Sequence, residues 1–242
     1  YEIHINLDPG DYEWRVRANN NGSNTEFTLP RNLKIDSTSN LNGQIVVLNT
    51  PLNNTIFNDV DITFTWTDIP EAEDYDFTLK EGNLWSTGTV VSTYYDIITT
   101  TKTITSLEEK EYIWGVRAEN SIPSVTNYSN RVFYIDTTNP NAPSGLGSPL
   151  DFSSFAVNDT VNFSWSLSGD IGGTYKSPVT SIIEYSTDSL FTASLTNTIS
   201  SSSTSTIGVF SIAGTYYWKM YCVDGANNES RNETFRRSFT IF

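Results

Sequence analysis

The chain has 242 residues, one histidine, one cysteine and a formal net charge of −14. A surface that acidic repels phosphate backbones and anionic lipid headgroups, which excludes nucleic acid as a partner. A lone cysteine excludes an internal disulfide framework, a lone histidine beside it excludes a transition-metal cluster, and a chain rich in Thr, Ser, Asn, Tyr, Val and Ile speaks for strands and turns rather than helices.

From the start of the chain, Glu2–Leu7 alternates apolar and polar residues and predicts a strand, with His4 on the face opposite Ile3 and Ile5. This places the histidine as an exposed strand residue rather than a catalyst. Asp11-Tyr-Glu-Trp-Arg-Val-Arg-Ala-Asn19 predicts a second strand over Tyr12–Ala18, and a closing strand follows near Phe27–Ile35. About three strands cannot bury a sandwich core by themselves. Residues 1–40 therefore read as the C-terminal part of a module whose earlier strands lie upstream, followed by a polar linker over residues 36–43.

Residues 41–138 read as a second module. Thr50-Pro51-Leu52-Asn53 precedes Asp61-Ile-Thr-Phe-Thr-Trp66, in which Phe64 and Trp66 share a face, and Tyr75-Asp-Phe-Thr-Leu79 alternates in the same way. Trp85 follows a turn, Glu81-Gly-Asn-Leu, and has no counterpart later in the chain. Tyr94 and Tyr95 are adjacent, so within a strand one must point outward. Trp85, Tyr94 and Tyr95 are the ligand-contact candidates, for a glycan or a protein; packing of Trp85 over a sheet edge is the competing reading. Glu71, Glu73 and Asp74, and again Glu108 and Glu109, bring acids together. Both groups fall in turns of a small sandwich, not across a cleft as glycoside hydrolysis needs, so no catalytic residue is assigned. Leu107 precedes Glu111-Tyr-Ile-Trp-Gly-Val-Arg-Ala-Glu119, with Tyr112, Trp114, Val116 and Ala118 on the core face and Ile113, Gly115 and Arg117 on the other. Arg131-Val-Phe-Tyr-Ile-Asp136 closes the module.

A Pro-bearing linker, Asp136–Pro143, leads into residues 139–242. Here Ser148-Pro149-Leu150-Asp151, Val161-Asn-Phe-Ser-Trp165, Ile182-Ile-Glu-Tyr185, Thr215-Tyr-Tyr-Trp-Lys-Met-Tyr-Cys-Val223 and Arg237-Ser-Phe-Thr-Ile-Phe242 repeat the order of the second module. Residues 167–181 and 195–206 are Gly/Ser/Thr-rich loops or edges. The run Gly169–Ser177 fails the phosphate-loop pattern because Tyr175 stands where a glycine must precede the lysine. Cys222 takes the place of Ala18 and Ala118, which marks it as a small buried residue.

Trp14, Trp114 and Trp218 thus recur at roughly the length of one immunoglobulin-like sandwich. An early strand with a core Trp, a later strand with a core Tyr after a Leu in the turn, and a closing strand together resemble the fibronectin type III family. That resemblance implies an all-β chain of tandem Ig-like sandwiches, the first incomplete, and little about function. The Asp-Ser/Thr segments at Asp36-Ser37-Thr38, Asp136-Thr137-Thr138, Asp159-Thr160-Val161 and Asp188-Ser189-Leu190 look like the O-glycosylation acceptor motif of Bacteroidota envelope proteins. The resemblance makes Ser37, Thr137, Thr160 and Ser189 candidate acceptors. The texture of Phe-Thr-Trp, Tyr-x-Trp-x-Val-Arg-Ala and Asp-Gly-Ala-Asn-Asn-Glu-Ser is similar to repeat-bearing surface lipoproteins of Bacteroidota. This implies a non-enzymatic scaffold or spacer at the cell surface, outer-membrane-associated or adhesive, with a protein partner in the envelope and a lipid anchor upstream of Tyr1. No stretch is apolar enough to span a membrane. A carbohydrate-binding accessory protein of a polysaccharide-uptake system, and linker modules of a larger secreted enzyme, are the alternatives. No cofactor and no metal site are assigned, the junction aspartates Asp36 and Asp136 being the positions at which calcium comes into question.

Overall fold

The computed structural model describes residues 7–35, 40–121, 124–166, 169–171, 175–192 and 196–242, so His4, Ser37 and Asp36 lie outside the described residues. The described residues form strands, turns and loops and no helix. Strand β1 (Gly10–Trp14) pairs antiparallel with β4 (Arg31–Ile35), with a short hairpin of β2 (Asn19–Asn20) and β3 (Ser23–Asn24) between them. The expected strand over Tyr12–Ala18 stops at Trp14, where its ladder with β4 ends. Val16 N–H donates to Thr28 Oγ1 at 3.1 Å and Ala18 N–H to Thr25 Oγ1 at 2.9 Å, where a regular ladder would use carbonyls.

The second module has two sheets. β5 (Leu48–Thr50), β7 (Ile62–Trp66) and β10 (Thr101–Ile104) form one, in the order β10-β7-β5. The other is β6 (Thr55–Phe57), β13 (Ser129–Ile135), β11 (Glu111–Asn120), β8 (Asp74–Glu81) and β9 (Thr89–Ile97), in that order, with β12 (Ser124–Val125) folded back on β11. Period two turns Phe64 and Trp66 of β7 toward Phe77 and Leu79 of β8, Tyr112, Trp114 and Val116 of β11, and Phe133 and Ile135 of β13. Phe64 meets Trp114 and Phe77 at ring-centroid distances of 5.0 Å each, and Tyr112 stacks on Phe133 at 5.4 Å. A buried ring of this kind removes about 150–250 Å² from water, worth roughly 4–6 kcal/mol at ~25 cal/mol per Å². The expected faces of Tyr112, Trp114, Val116 and Ala118 are thus the observed ones.

The third module repeats the plan. β15 (Thr160–Ser164) pairs with β18 (Ser205–Val209), with Leu146 bridging to Trp165 beside them. Opposite lie β14 (Ser153–Phe155), β20 (Glu229–Ile241), β19 (Gly214–Val223), β16 (Thr180–Ser186) and β17 (Asn197–Ser201), in that order. Phe163 and Trp218 meet edge-on at 5.1 Å, Tyr216 stacks on Phe239 at 5.5 Å, and Cys222 is buried where a small residue was expected.

Small polar devices recur with the strands. Arg131 Nη1 donates to the carbonyls of Asn49 and Pro51, and Arg237 Nη1 to those of Gly147 and Pro149. In each case the arginine of the closing strand clasps the segment around a cis proline, Pro51 or Pro149. The tyrosine that opens the Tyr-x-Trp strand donates its hydroxyl four residues back in all three repeats: Tyr12 to Asp8 O, Tyr112 to Glu108 O and Tyr216 to Ile212 O, at 2.7, 3.1 and 3.1 Å. This tyrosine corner, with the strand order of the two complete modules, makes the chain a tandem of fibronectin type III-like sandwiches. Trp14, expected in a core, is 47% exposed, because β1 and β4 face no second sheet among the described residues.

Candidate functional site

The three aromatic candidates part company in space. Trp85, between β8 and β9, lies half-buried on the outer face of the larger sheet. Its ring crosses Gly115, where a Cβ would come within 2.6 Å of it, and packs on Tyr128 at 5.0 Å. Lys80 Nζ sits 4.4 Å from the ring and donates to Trp85 O at 2.7 Å. Ile113, on the same outer face, is buried. Tyr94 turns inward against Phe77, with Lys102 Nζ 3.4 Å from its ring. Tyr95 points outward and is 65% exposed on the edge strand β9, which also exposes Val90 and Val91 nearer its start.

Of the hydroxyl candidates, Thr160 is exposed at the start of β15 and Ser189 is half-buried in a turn organised by Asp188. Thr137 is exposed, but its N–H and its Oγ1 both donate to Glu109 Oε2 at 3.1 Å, as does Thr138 Oγ1 at 2.7 Å. Glu109, named above for its charge, therefore holds the start of the linker. Glu108 pairs with Lys110 at 2.7 Å, which pulls its carboxyl below the usual range.

Two groups of acids converge in space. Asp74, Asp76 and Glu119 lie at one end of the β8–β11 pair, with carboxylate oxygens within 4.8 Å of one another. Arg117 sits among them, its Nη2 at 2.7 Å from both Asp76 Oδ2 and Glu119 Oε1, its face 5.2 Å from the Tyr128 ring. Burial raises the carboxyls of Asp74 and Glu119, and their acidic neighbours push further in the same direction.

The second group is Asp136, Asp170 and Asp224, within the same 4.8 Å compass, at the junction of the two complete modules. Three segments meet there: the linker after β13, the loop before β16, and the turn between β19 and β20. Asn228 Nδ2 donates to the linker carbonyls of Asp136 at 2.8 Å and Thr138 at 3.3 Å and to Asp224 Oδ2 at 2.9 Å. Asp224 Oδ1 also accepts from the N–H groups of Ala226 and Asn228, each at 2.9 Å, and Asp170 Oδ2 from Ser177 N–H at 2.7 Å. Asn141 N–H donates to Gly169 O at 2.9 Å. Tyr134 of β13 stacks on Tyr175 of the third module at 4.2 Å, and Gly225 leaves room for Ile56, whose Cδ1 would lie 2.8 Å from an added Cβ. Asp136 is fully buried, and neither of its carboxylate oxygens has a hydrogen-bond partner. Burial pushes its carboxyl up; the neighbouring Ser177 side chain works against this without reaching bonding geometry, and Asp170, Asp224 and Glu109 add to the upward push. The sequence placed Asp136 at a junction; it gave no sign that Asp170 and Asp224, far along the chain, fold back onto it.

No family model and no curated protein matches the chain. Among solved structures it is similar to the fibronectin(III)-like modules of Clostridium thermocellum CbhA, at 14% identity and TM-score 0.48, over 82% of this chain and 93% of that one. It is also similar to the FN1–FN3 domains of chicken CNTN1, at 14% identity and TM-score 0.48 over 95% and 75%. A third is a two-domain fibronectin type III segment of chicken tenascin, at 13% identity and TM-score 0.30 over 81% and 96%. The fold stands on the strand order and the three tyrosine bonds.

Proposed function

We propose that this chain is a non-enzymatic scaffold or spacer at the cell surface, built to hold successive sandwiches at a set spacing and to offer sheet edges to a protein partner of the envelope. The observation that carries this reading is the junction. Asn228 ties the linker backbone to the third module, and Tyr134 stacks across to Tyr175, so the two complete modules are braced against each other and not merely strung together. A spacer needs that bracing, because free rotation at a linker shortens and blurs the distance it spans. No helix among the described residues is long and apolar enough to cross a membrane. Distances between spin labels on β9 and β17 test the reading directly. A single narrow distribution is expected; a broad one, unchanged by Asn228→Ala, would sink it.

A glycan-binding reading draws on Tyr95, whose ring stands free on the β9 edge. Retardation in polysaccharide gels that is lost in Tyr95→Ala would favour it over the spacer.

A further inference from the structure

We propose that the junction of the two complete modules is a calcium site, with the Asp136, Asp170 and Asp224 carboxylates as its protein ligands. The inference stands apart from the spacer reading, since it rests on donor chemistry and not on what the modules hold apart. Three carboxylates within 4.8 Å of one another would concentrate three negative charges in a largely buried space. Moving even one carboxylate out of water costs several kcal/mol unless a cation or enough donors replace the water. Asp224 has backbone and Asn228 donors and Asp170 a backbone donor, but Asp136 has none: it is fully buried and both of its oxygens stand without a partner. No lysine or arginine of the described residues forms an ion pair with Asp136 or Asp224. The other acidic group marks the difference, because there Arg117 occupies the space between the oxygens.

The existing hydrogen bonds suit a metal centre. N–H groups of Ala226, Asn228 and Ser177 fix the orientation of two ligands while leaving further lone pairs on the same oxygens, which is how outer partners hold first ligands in place. The donors are all oxygens, which selects a hard cation. Calcium accepts several carboxylates at irregular angles, whereas magnesium keeps most of its water, and fully buried Asp136 is out of reach of bulk water. Because one ligand comes from the linker and two come from loops of the third module, the ion would join the end of the second module to the third.

The test is calorimetric titration of the whole chain, stripped with chelator, with calcium chloride and separately with magnesium chloride. One calcium per chain is expected, with magnesium weaker by at least roughly tenfold. Tenfold excess calcium should raise the thermal midpoint by roughly 5 °C. Asp136→Asn should weaken calcium by at least about tenfold, while Asp76→Asn, at the acidic group that holds Arg117, should leave calcium affinity unchanged. If Asp136→Asn does not fold, Asp170→Asn at the half-exposed mouth of the site gives the same reading. Tyrosine-sensitised terbium luminescence, from Tyr134 and Tyr175, should appear on adding terbium and fall on adding calcium. No heat and no thermal shift with either ion would overturn the proposal, as would calcium affinity untouched by both Asp136→Asn and Asp170→Asn. Equal affinity for magnesium would overturn the assignment of calcium.

Discussion

The two acidic groups answer the same electrostatic problem from different material. Asp74, Asp76 and Glu119 lie on paired strands, where period two puts Arg117 on their face, two residues from Glu119 and directly across from Asp76. Asp136, Asp170 and Asp224 come from a linker, a loop and a turn; peptide and amide N–H groups reach Asp170 and Asp224, and none reaches the Asp136 carboxylate. A sheet can supply its own counter-ion because its register repeats. A junction assembled from three irregular segments has no such lattice, and its ion must come from solution.

The contrast can be broken most forcefully by removing the cation that one group possesses. Arg117→Met leaves buried Asp76 uncompensated and should cost about 2–4 kcal/mol in urea unfolding of the second module; a smaller loss than the asparagine exchange below would erase the distinction. Charge neutralisation should next give opposite signs. Asp76→Asn should destabilise by about 1–3 kcal/mol, because it weakens a charge-assisted pair, whereas Asp136→Asn in chelator should stabilise by about 1 kcal/mol, because it relieves an unpaired buried charge. The same unfolding measurement reads both.

Acid sharpens the picture further. Burial first, and acidic neighbours second, raise the Asp74 and Glu119 carboxyls in the folded state. The folded chain therefore binds these protons more tightly than the unfolded chain does. Their contribution to stability is fully present below the ordinary carboxylate range and is lost as pH rises through the raised folded values. The urea midpoint of the second module should rise as pH falls from neutrality toward about 5, and the double variant Asp74→Asn, Glu119→Gln should flatten that slope. The smallest effect belongs to the ring beneath the cation: Tyr128→Leu should cost about 0.5–1 kcal/mol and leave the junction's response to calcium as it was.

What could be read beforehand follows the same divide between regular and irregular backbone. Alternation fixed the inner faces of β7, β11, β15 and β19, because a strand offers only two sides and rings fill one of them. It could not say that Trp14 would be exposed, since burial needs an opposing sheet that the pattern of one strand does not encode. Trp85 was ambiguous as a lone ring after a turn. Gly115 was the available signal: a glycine in the middle of a strand marks a close approach by something large, and the Trp85 ring is what approaches. The junction left little trace, because Asp136, Asp170 and Asp224 are distant in sequence and lie in segments without a period. Asp224-Gly-Ala-Asn-Asn228 carried only a family resemblance in the sequence, although its Asn228 clamps the linker.

In both complete modules the short strand after the cis proline runs parallel to the strand that ends the module: β6 beside β13, and β14 beside β20. A pull along the chain would reach β6 and β14 just after the first short stretch of each sandwich, β5 or the Leu146 bridge, and leave through β13 and β20. Parallel neighbours dragged in opposite directions slide past each other, so their hydrogen bonds must yield together and not one after another like a zip. The geometry that closes each core therefore also sets how each sandwich resists tension.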